Sequence, residues 1–203
     1  MMIPKDERII VIEDSQELQL VQPHVLMMEA RKPDAQGRGE VSIGDLFMSA
    51  MRLRPDRIVI GEIRGGEALT LLQAMTSGHG GSLTTTHATY PDDTLRRLET
   101  MAMMSNIEMP LNALRSQVAS AVQVIIQTSR FNDGTRKTTH IVEVLELAEN
   151  GEYQIYPLFE FKHQGTDENG KVLGQLEPTG NKPTFMDKAD AQGIHIDENW
   201  FIP

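Results

Sequence analysis

The sequence predicts an α/β fold: a parallel sheet layered with helices and extended by antiparallel strands. Two observations carry this. In the first part of the chain, short β-branched apolar runs alternate with stretches of helical periodicity, as in proteins built from strand–helix–strand units. Later, stretches that alternate apolar and polar residues are separated by Asp-Gly and Asn-Gly turns, as in hairpins. The switch between the two patterns divides the chain into a core at 1–129 and an extension at 130–203.

The elements follow in order. Arg8-Ile9-Ile10-Val11-Ile12-Glu13-Asp14 is a continuous apolar run ending in acids, suited to a strand buried on both faces. His24 to Glu29 is a second extended stretch. Arg31 to Glu40 is charged, holds Pro33, Gly37 and Gly39, and reads as a loop. Ser42 is placed to cap a helix with Asp45 in its first turn and Leu46, Phe47, Ala50 and Met51 at helical spacing; Arg54-Pro55-Asp56 stops it. Arg57 to Glu62 is another buried strand ending in an acid, and Gly65-Gly66 breaks the chain. A helix over Glu67–Ser77 turns Ala68, Leu71, Leu72 and Met75 inward and ends at Gly78. Ser82 to His87 is a third strand; helices follow at about Asp92–Met104 and Pro110–Ala119, with Pro110 at the first helical position. Strands are expected over Val122–Ser129, Thr135–Leu147 and Tyr153–Phe161, turns at Asn132-Asp133-Gly134, Asn150-Gly151 and Asn169-Gly170, and a short helix at Thr184–Ala191.

Composition removes several function classes. The 203 residues carry 19 basic and 29 acidic side chains, a net charge of −10, which is a poor footprint for nucleic-acid binding. There is no cysteine, so disulfides, thiolate nucleophiles and Cys-type zinc sites are out, and the chain suits a reducing compartment. No apolar stretch is long enough to span a bilayer, and Met1 to Glu7 has no basic-then-apolar run of the secretory kind.

In open α/β sheets, ligands sit beyond the carboxyl ends of the strands. Three predicted strand ends carry chemistry: the Glu13, Asp14 and Glu17 cluster, then Glu62, then His87. A strand-end acid can face magnesium and water, and clustered acids can hold a hydrated cation. For any one acid the alternative is a solvated junction. His79 and His87 flank Gly80-Gly81-Ser82 and could meet a phosphate or move a proton; a structural histidine is the alternative. Arg52, Arg54, Arg57 and Arg64 surround the second strand, where arginines can meet phosphate or offset a helix dipole. Without cysteine or a His-Glu-x-x-His pattern, zinc is not expected.

In their joint order these segments resemble the secretion ATPases of type II and type IV systems, most closely the CpaF/TadA type that drives tight-adherence (Flp) pilus assembly. Arg8 to Leu20 looks like the family's Asp box, Leu53 to Ala68 like its Walker B region with Gly61-Glu62, and Thr76 to Ala88 like its His box. The resemblance implies a RecA-like P-loop NTPase core using ATP and Mg2+. It implies Glu62 as the Walker B carboxylate supporting magnesium and the attacking water. It also implies Glu17 as a second catalytic acid and His87 as the contact to the γ-phosphate region. Glu13, Asp14, Arg52, Arg64 and His79 are expected around the nucleotide. The implied assembly is a cytoplasmic homo-hexamer, peripheral to the inner membrane through a secretion platform protein, with no membrane insertion of its own.

One expected part is missing from the sequence. No Gly-x-x-x-x-Gly-Lys-[Ser/Thr] occurs, so no loop of this kind cradles phosphates. In the family that loop lies just before the Asp-box strand, so Pro4 to Arg8 corresponds to an internal position, and the core is expected to lack the P-loop strand and helix. This chain alone is then expected to bind ATP weakly and hydrolyse it negligibly. The alternative is a non-catalytic truncated subunit or interaction module.

Overall fold

The computed structural model describes residues 3–78 and 80–203, which divide into two compact units. The first takes in the described residues through Ala88 together with Arg96–Ala121; the second takes in Thr89–Leu95 and Val122–Pro203.

The first unit is built on a parallel sheet of β1 (Ile9–Glu13), β2 (Val25–Glu29), β3 (Arg57–Ile60) and β4 (Leu83–Thr84), in the order β2-β1-β3-β4. The apolar run of β1 is explained by its place: strands flank it on both sides and all five of its residues are buried. Glu13 pairs in register with Glu29, and Ile12 with Ile60, so the carboxyl ends of these strands lie side by side. The chain leaves β1 toward β2 and returns across it to β3. That reversal opens a crevice at the carboxyl ends, where such sheets take ligands.

Helix α1 (Ile43–Ala50) starts as the sequence predicts. Ser42 Oγ accepts from the Asp45 amide at 3.1 Å, and the Asp45 carboxylate accepts from the Ser42 amide at 2.9 Å. This reciprocal cap satisfies two backbone donors and holds the Asp45 carboxyl below its usual range through the Ser42 hydrogen bonds. The helix runs into a 3-10 turn, Met51–Leu53, and ends at Arg54, whose φ of 51° lies in the left-handed region just before Pro55. Helix α1 packs on β1, β2 and α2 (Glu67–Thr76), and α2 packs on α4 (Leu111–Ala121). The α2 core is Ala68, Leu69, Leu71, Leu72 and Ala74; Met75, expected inward, is half-buried. Pro110 precedes α4 and offers its carbonyl to the Leu114 amide at 3.0 Å, so it caps the helix rather than beginning it. Helix α3 (Pro91–Met103) contributes residues to both units.

Strand β4 is shorter than the Ser82–His87 expectation. Among the described strands it has a neighbour on one side only, so a single ladder holds it.

The second unit is an antiparallel meander of β5 (Val124–Arg130), β6 (Arg136–Val144), β7 (Ile155–Thr166) and β8 (Val172–Pro178). Strand β5 pairs with β6, so it belongs here rather than with residues 1–129. The expected turns form around Gly134, Gly151 and Gly170. Strand β8 has no counterpart among the sequence expectations. Buried Val142, Val144, Leu158 and Val172 make the core, and the Phe201 ring packs on that of Phe159 in a tilted arrangement with centroids 5.5 Å apart. The Glu143 carboxylate, also buried, accepts from the Thr184 amide at 2.8 Å and the Thr184 hydroxyl at 2.5 Å, tying the segment before α5 (Met186–Ala191) to the sheet.

Asp133 ties the first hairpin turn to the last strand. It accepts from the Thr135 hydroxyl at 2.7 Å, the Val172 amide at 2.7 Å and the Thr135 amide at 2.9 Å, and these bonds lower its pKa from 3.8 to about 2. The unfolded chain takes up this proton near 3.8 and the folded chain only near 2, so acid favours unfolding across that window. Asp133→Asn is therefore expected to be less stable than the parent at neutral pH. The gap should close as pH falls from about 4 through about 2. Urea midpoints at a series of pH values test this; a gap independent of pH in that range refutes it.

Candidate active site

The site is assembled at the carboxyl edge of the parallel sheet. Glu62 lies two residues beyond β3, with about a quarter of its side chain exposed. Its Oε1 accepts from Arg64 Nη2. Its Oε2 is buried, without a hydrogen bond among the described residues, and lies 3.6 Å from His87 Nε2. Arg64 Nη1 also lies 4.0 Å from Asp14 Oδ2, beyond the end of β1. Four residues from three distant segments thus meet at one edge: Asp14, Glu62, Arg64 and His87. The Arg64 hydrogen bond holds the Glu62 carboxyl below its usual range against partial desolvation, with the charges of Arg64 and His87 adding to the effect; the same bond raises Arg64.

The supports of this cluster are backbone contacts. The Glu67 carboxylate, in the first turn of α2, accepts from the Arg64 amide at 2.8 Å and the Gly65 amide at 2.9 Å, fixing the loop that presents Arg64. Glu67 is absent from the expected site residues, although an acid three residues beyond Arg64, opening a helix, is a local signal for that role. Beyond β4 the Thr85 hydroxyl donates to the Gly61 carbonyl at 2.6 Å and the Thr85 carbonyl accepts from the Ile63 amide at 3.1 Å.

The other expected residues divide. Glu13 is buried, and its Oε1 accepts from the Glu17 amide at 3.2 Å and the Leu18 amide at 3.1 Å. It anchors the loop after β1. Gly61 gives it room: a Cβ there would come within 3.0 Å of Glu13 Cγ. Glu17 is exposed on that anchored loop. Arg52 sits in the 3-10 turn before β3; the Arg8 guanidinium, at the start of β1, reaches the neighbouring Leu53 carbonyl. That is the amino edge of the sheet, so Arg52 is not brought to the cluster. His79 lies outside the described residues. Glu13→Ala is expected to cost about 1–3 kcal/mol, because it strips two amides of their acceptor. Hydrogen exchange at Glu17 and Leu18 should accelerate accordingly; unchanged exchange there would refute the anchoring role.

An open cleft of about 700 Å3 borders the cluster, lined by Arg31, Lys32, Ser42, Asp45 and Glu67 among others. Asp14 and Arg64 reach into it, while Glu62 and His87 do not line it, so the chemistry sits at its rim.

The cluster fits the metal end of a magnesium–nucleotide. Magnesium takes one or two carboxylates and keeps water and phosphate oxygens as its other ligands. Glu62 and Asp14 are the two acids that approach Arg64, and among the described residues the buried Glu62 Oε2 accepts no hydrogen bond. Among the described residues no three His, Cys, Asp or Glu side chains group as a self-sufficient metal site.

The sequence model of the type II/IV secretion system protein family matches residues 1–158. A putative conjugal transfer protein of Mycobacterium tuberculosis is 40% identical over 147 residues, covering 72% of this chain and 41% of that protein. The type IV secretion system protein VirB11 of Bartonella henselae is 38% identical over 144 residues, covering 68% of this chain and 39% of that protein. Among solved structures, the VirB11 ATPase of the Brucella suis type IV secretion system, in complex with sulphate, superposes with a TM-score of 0.60 at 32% identity. It covers 68% of this chain and 40% of that one. The pilus retraction motor PilT with bound ADP shares the fold, with a TM-score of 0.52 at 24% identity, covering 71% of this chain and 40% of that one. The chain spans about two fifths of the length of each of these proteins.

Proposed function

The chain belongs to the type II/IV secretion system protein family, and from that premise we propose that it forms the acid-bearing part of an ATP-hydrolysing motor domain. The observation that carries the proposal is the meeting of Asp14, Glu62, Arg64 and His87 at the carboxyl edge of a parallel sheet, where the strand order reverses.

In this reading Glu62 is the carboxylate that accepts a proton from the attacking water, and with Asp14 it is the group that would hold magnesium. The metal would supply charge neutralisation to the phosphates. His87, 3.6 Å from Glu62 and mostly exposed, is the group free to meet a phosphate oxygen. Arg64 neutralises Glu62 and, through its hydrogen bond, holds the carboxyl below its usual range. Glu17 presents a second carboxylate from the loop that Glu13 anchors. The sequence carries no P-loop motif, and the free side of β4 is where a further parallel strand can join the sheet. The proposed core is RecA-like, completed by a P-loop strand and helix outside these residues.

The finer proposals follow the motifs. The wording of Leu53–Ala68 and Thr76–Ala88 supports the tight-adherence branch, with pilin or protein export as the work done. The complete protein is proposed to act as a homo-hexamer on the cytoplasmic side of an inner-membrane platform. Among the described residues no helix is long and apolar enough to cross a membrane.

The test is phosphate release from ATP by this chain alone, and by the chain mixed with a separately produced P-loop-bearing segment of a relative. The expected result is negligible turnover alone and Glu62-dependent turnover in the mixture. Assembly of a complex that never hydrolyses ATP, or turnover indifferent to Glu62, overturns the catalytic reading and favours an interaction module.

A further inference from the structure

We propose that Thr85 is a positioning residue for Glu62, holding the end of β3 through both peptide units that flank the catalytic carboxylate. The inference rests on the reading of Glu62 just given and adds a residue to it. Glu62 lies beyond both ladders of β3, which end at Ile60 paired with Ile12 of β1 and with Thr84 of β4, and the last hydrogen bond from β1 is the Ile12 carbonyl accepting from the Gly61 amide at 2.8 Å. Thr85 takes over where the ladder stops. Its hydroxyl donates to the carbonyl of Gly61 at 2.6 Å, on one side of Glu62. Its carbonyl accepts from the amide of Ile63 at 3.1 Å, on the other side.

Thr85 therefore clamps the two peptide units on either side of Glu62, while Ile12 of β1 holds only the Gly61 amide before them. Ile63 is itself 1% exposed and fixed in the core, so the clamp closes on a rigid neighbour. Thr85 is also two residues from His87, whose ring nitrogen stands 3.6 Å from Glu62 Oε2. The same two hydrogen bonds thus set the spacing of the carboxylate and the imidazole. Only a hydroxyl on Cβ makes the first bond. Valine matches the shape of threonine without it, and serine keeps the oxygen without the methyl.

The experiment compares Thr85→Val and Thr85→Ser. In the 203-residue chain, Thr85→Val is expected to speed amide exchange at Ile63 about fivefold, the loss of one ordinary hydrogen bond, with Thr85→Ser staying within about twofold of the parent. In the ATP-hydrolysing mixture with a P-loop-bearing segment, Thr85→Val is expected to lower kcat about tenfold with KM nearly unchanged, and Thr85→Ser to restore most of it. Unchanged exchange at Ile63 in Thr85→Val overturns the clamp, as does a serine variant that fails as badly as valine. Glu62→Gln in the same mixture is the control. If it leaves turnover intact, the reading of Glu62 has failed, and exchange at Ile63 decides alone whether Thr85 holds the strand end.

Discussion

Glu62→Gln is expected to reduce ATP turnover by roughly 10²–10⁴-fold, the range lost when a positioned proton acceptor is removed. The assay is phosphate release by the chain completed with a P-loop-bearing segment. Glutamine keeps the shape of the side chain and an oxygen for Arg64, so the edge of the sheet should keep its form. What disappears is the negative charge and the capacity to take a proton. The position is partly exposed, so the swap should cost little folding stability, and nucleotide binding should change far less than turnover. Arg64→Ala separates charge from position. It should raise the Glu62 carboxyl toward its ordinary value, because the Arg64 hydrogen bond is the largest cause of its depression. The acid limb of the pH–rate profile should then move to higher pH. A Glu62→Gln variant that retains more than about a tenth of parental turnover would remove Glu62 from the proton-accepting role.

The legible part of the fold was the part with local causes. The continuous apolar run at Ile9–Ile12 marks a parallel strand covered on both faces, and the run at Ile58–Ile60 marks another, in which Ile58 and Ile60 are buried and Val59 is half-buried. The Ser42 and Asp45 cap and the Gly134 and Gly151 turns are each specified within a few residues. Strand β8 was hidden because its reason is distant. Gly174 within it has φ 146°, and a Cβ there would lie 2.4 Å from the Lys162 carbonyl of β7, so a residue that reads as a strand breaker is required by close approach of the neighbouring strand. The site divides the same way. Glu62 and His87 were visible as strand-end groups, and the sheet brings them together. Glu13 read as one acid in a cluster, and its buried place uses the space that Gly61 leaves just beyond β3. Thr85 has no local signal. Its role exists only once the end of β3 is seen to leave the ladder.

The second large effect concerns what holds β1, and with it the loop bearing Asp14 and Glu17, in place. Phe47→Ala is expected to destabilise the chain by about 3–5 kcal/mol, the usual cost of removing a buried ring and leaving its cavity. Phe47 and Ala50 are the buried residues of α1, and Phe47 is 0% exposed, so the ring provides most of the apolar surface by which this short helix adheres. Helix α1 packs on β1, β2 and α2, and β1 leads directly into the loop that bears Asp14. Its amino end, Ser42 to Asp45, also forms one wall of the cleft that Arg64 and Asp14 enter. Typical domains have only about 5–15 kcal/mol to lose, so this substitution consumes a large share. Urea unfolding measures the cost, and amide exchange shows where it falls: β1 and the Glu17 and Leu18 amides held by Glu13 should open more readily than in the parent. A cost below about 1 kcal/mol would mean that α1 is held by its cap and not by its ring, and that β1 keeps its place without the helix.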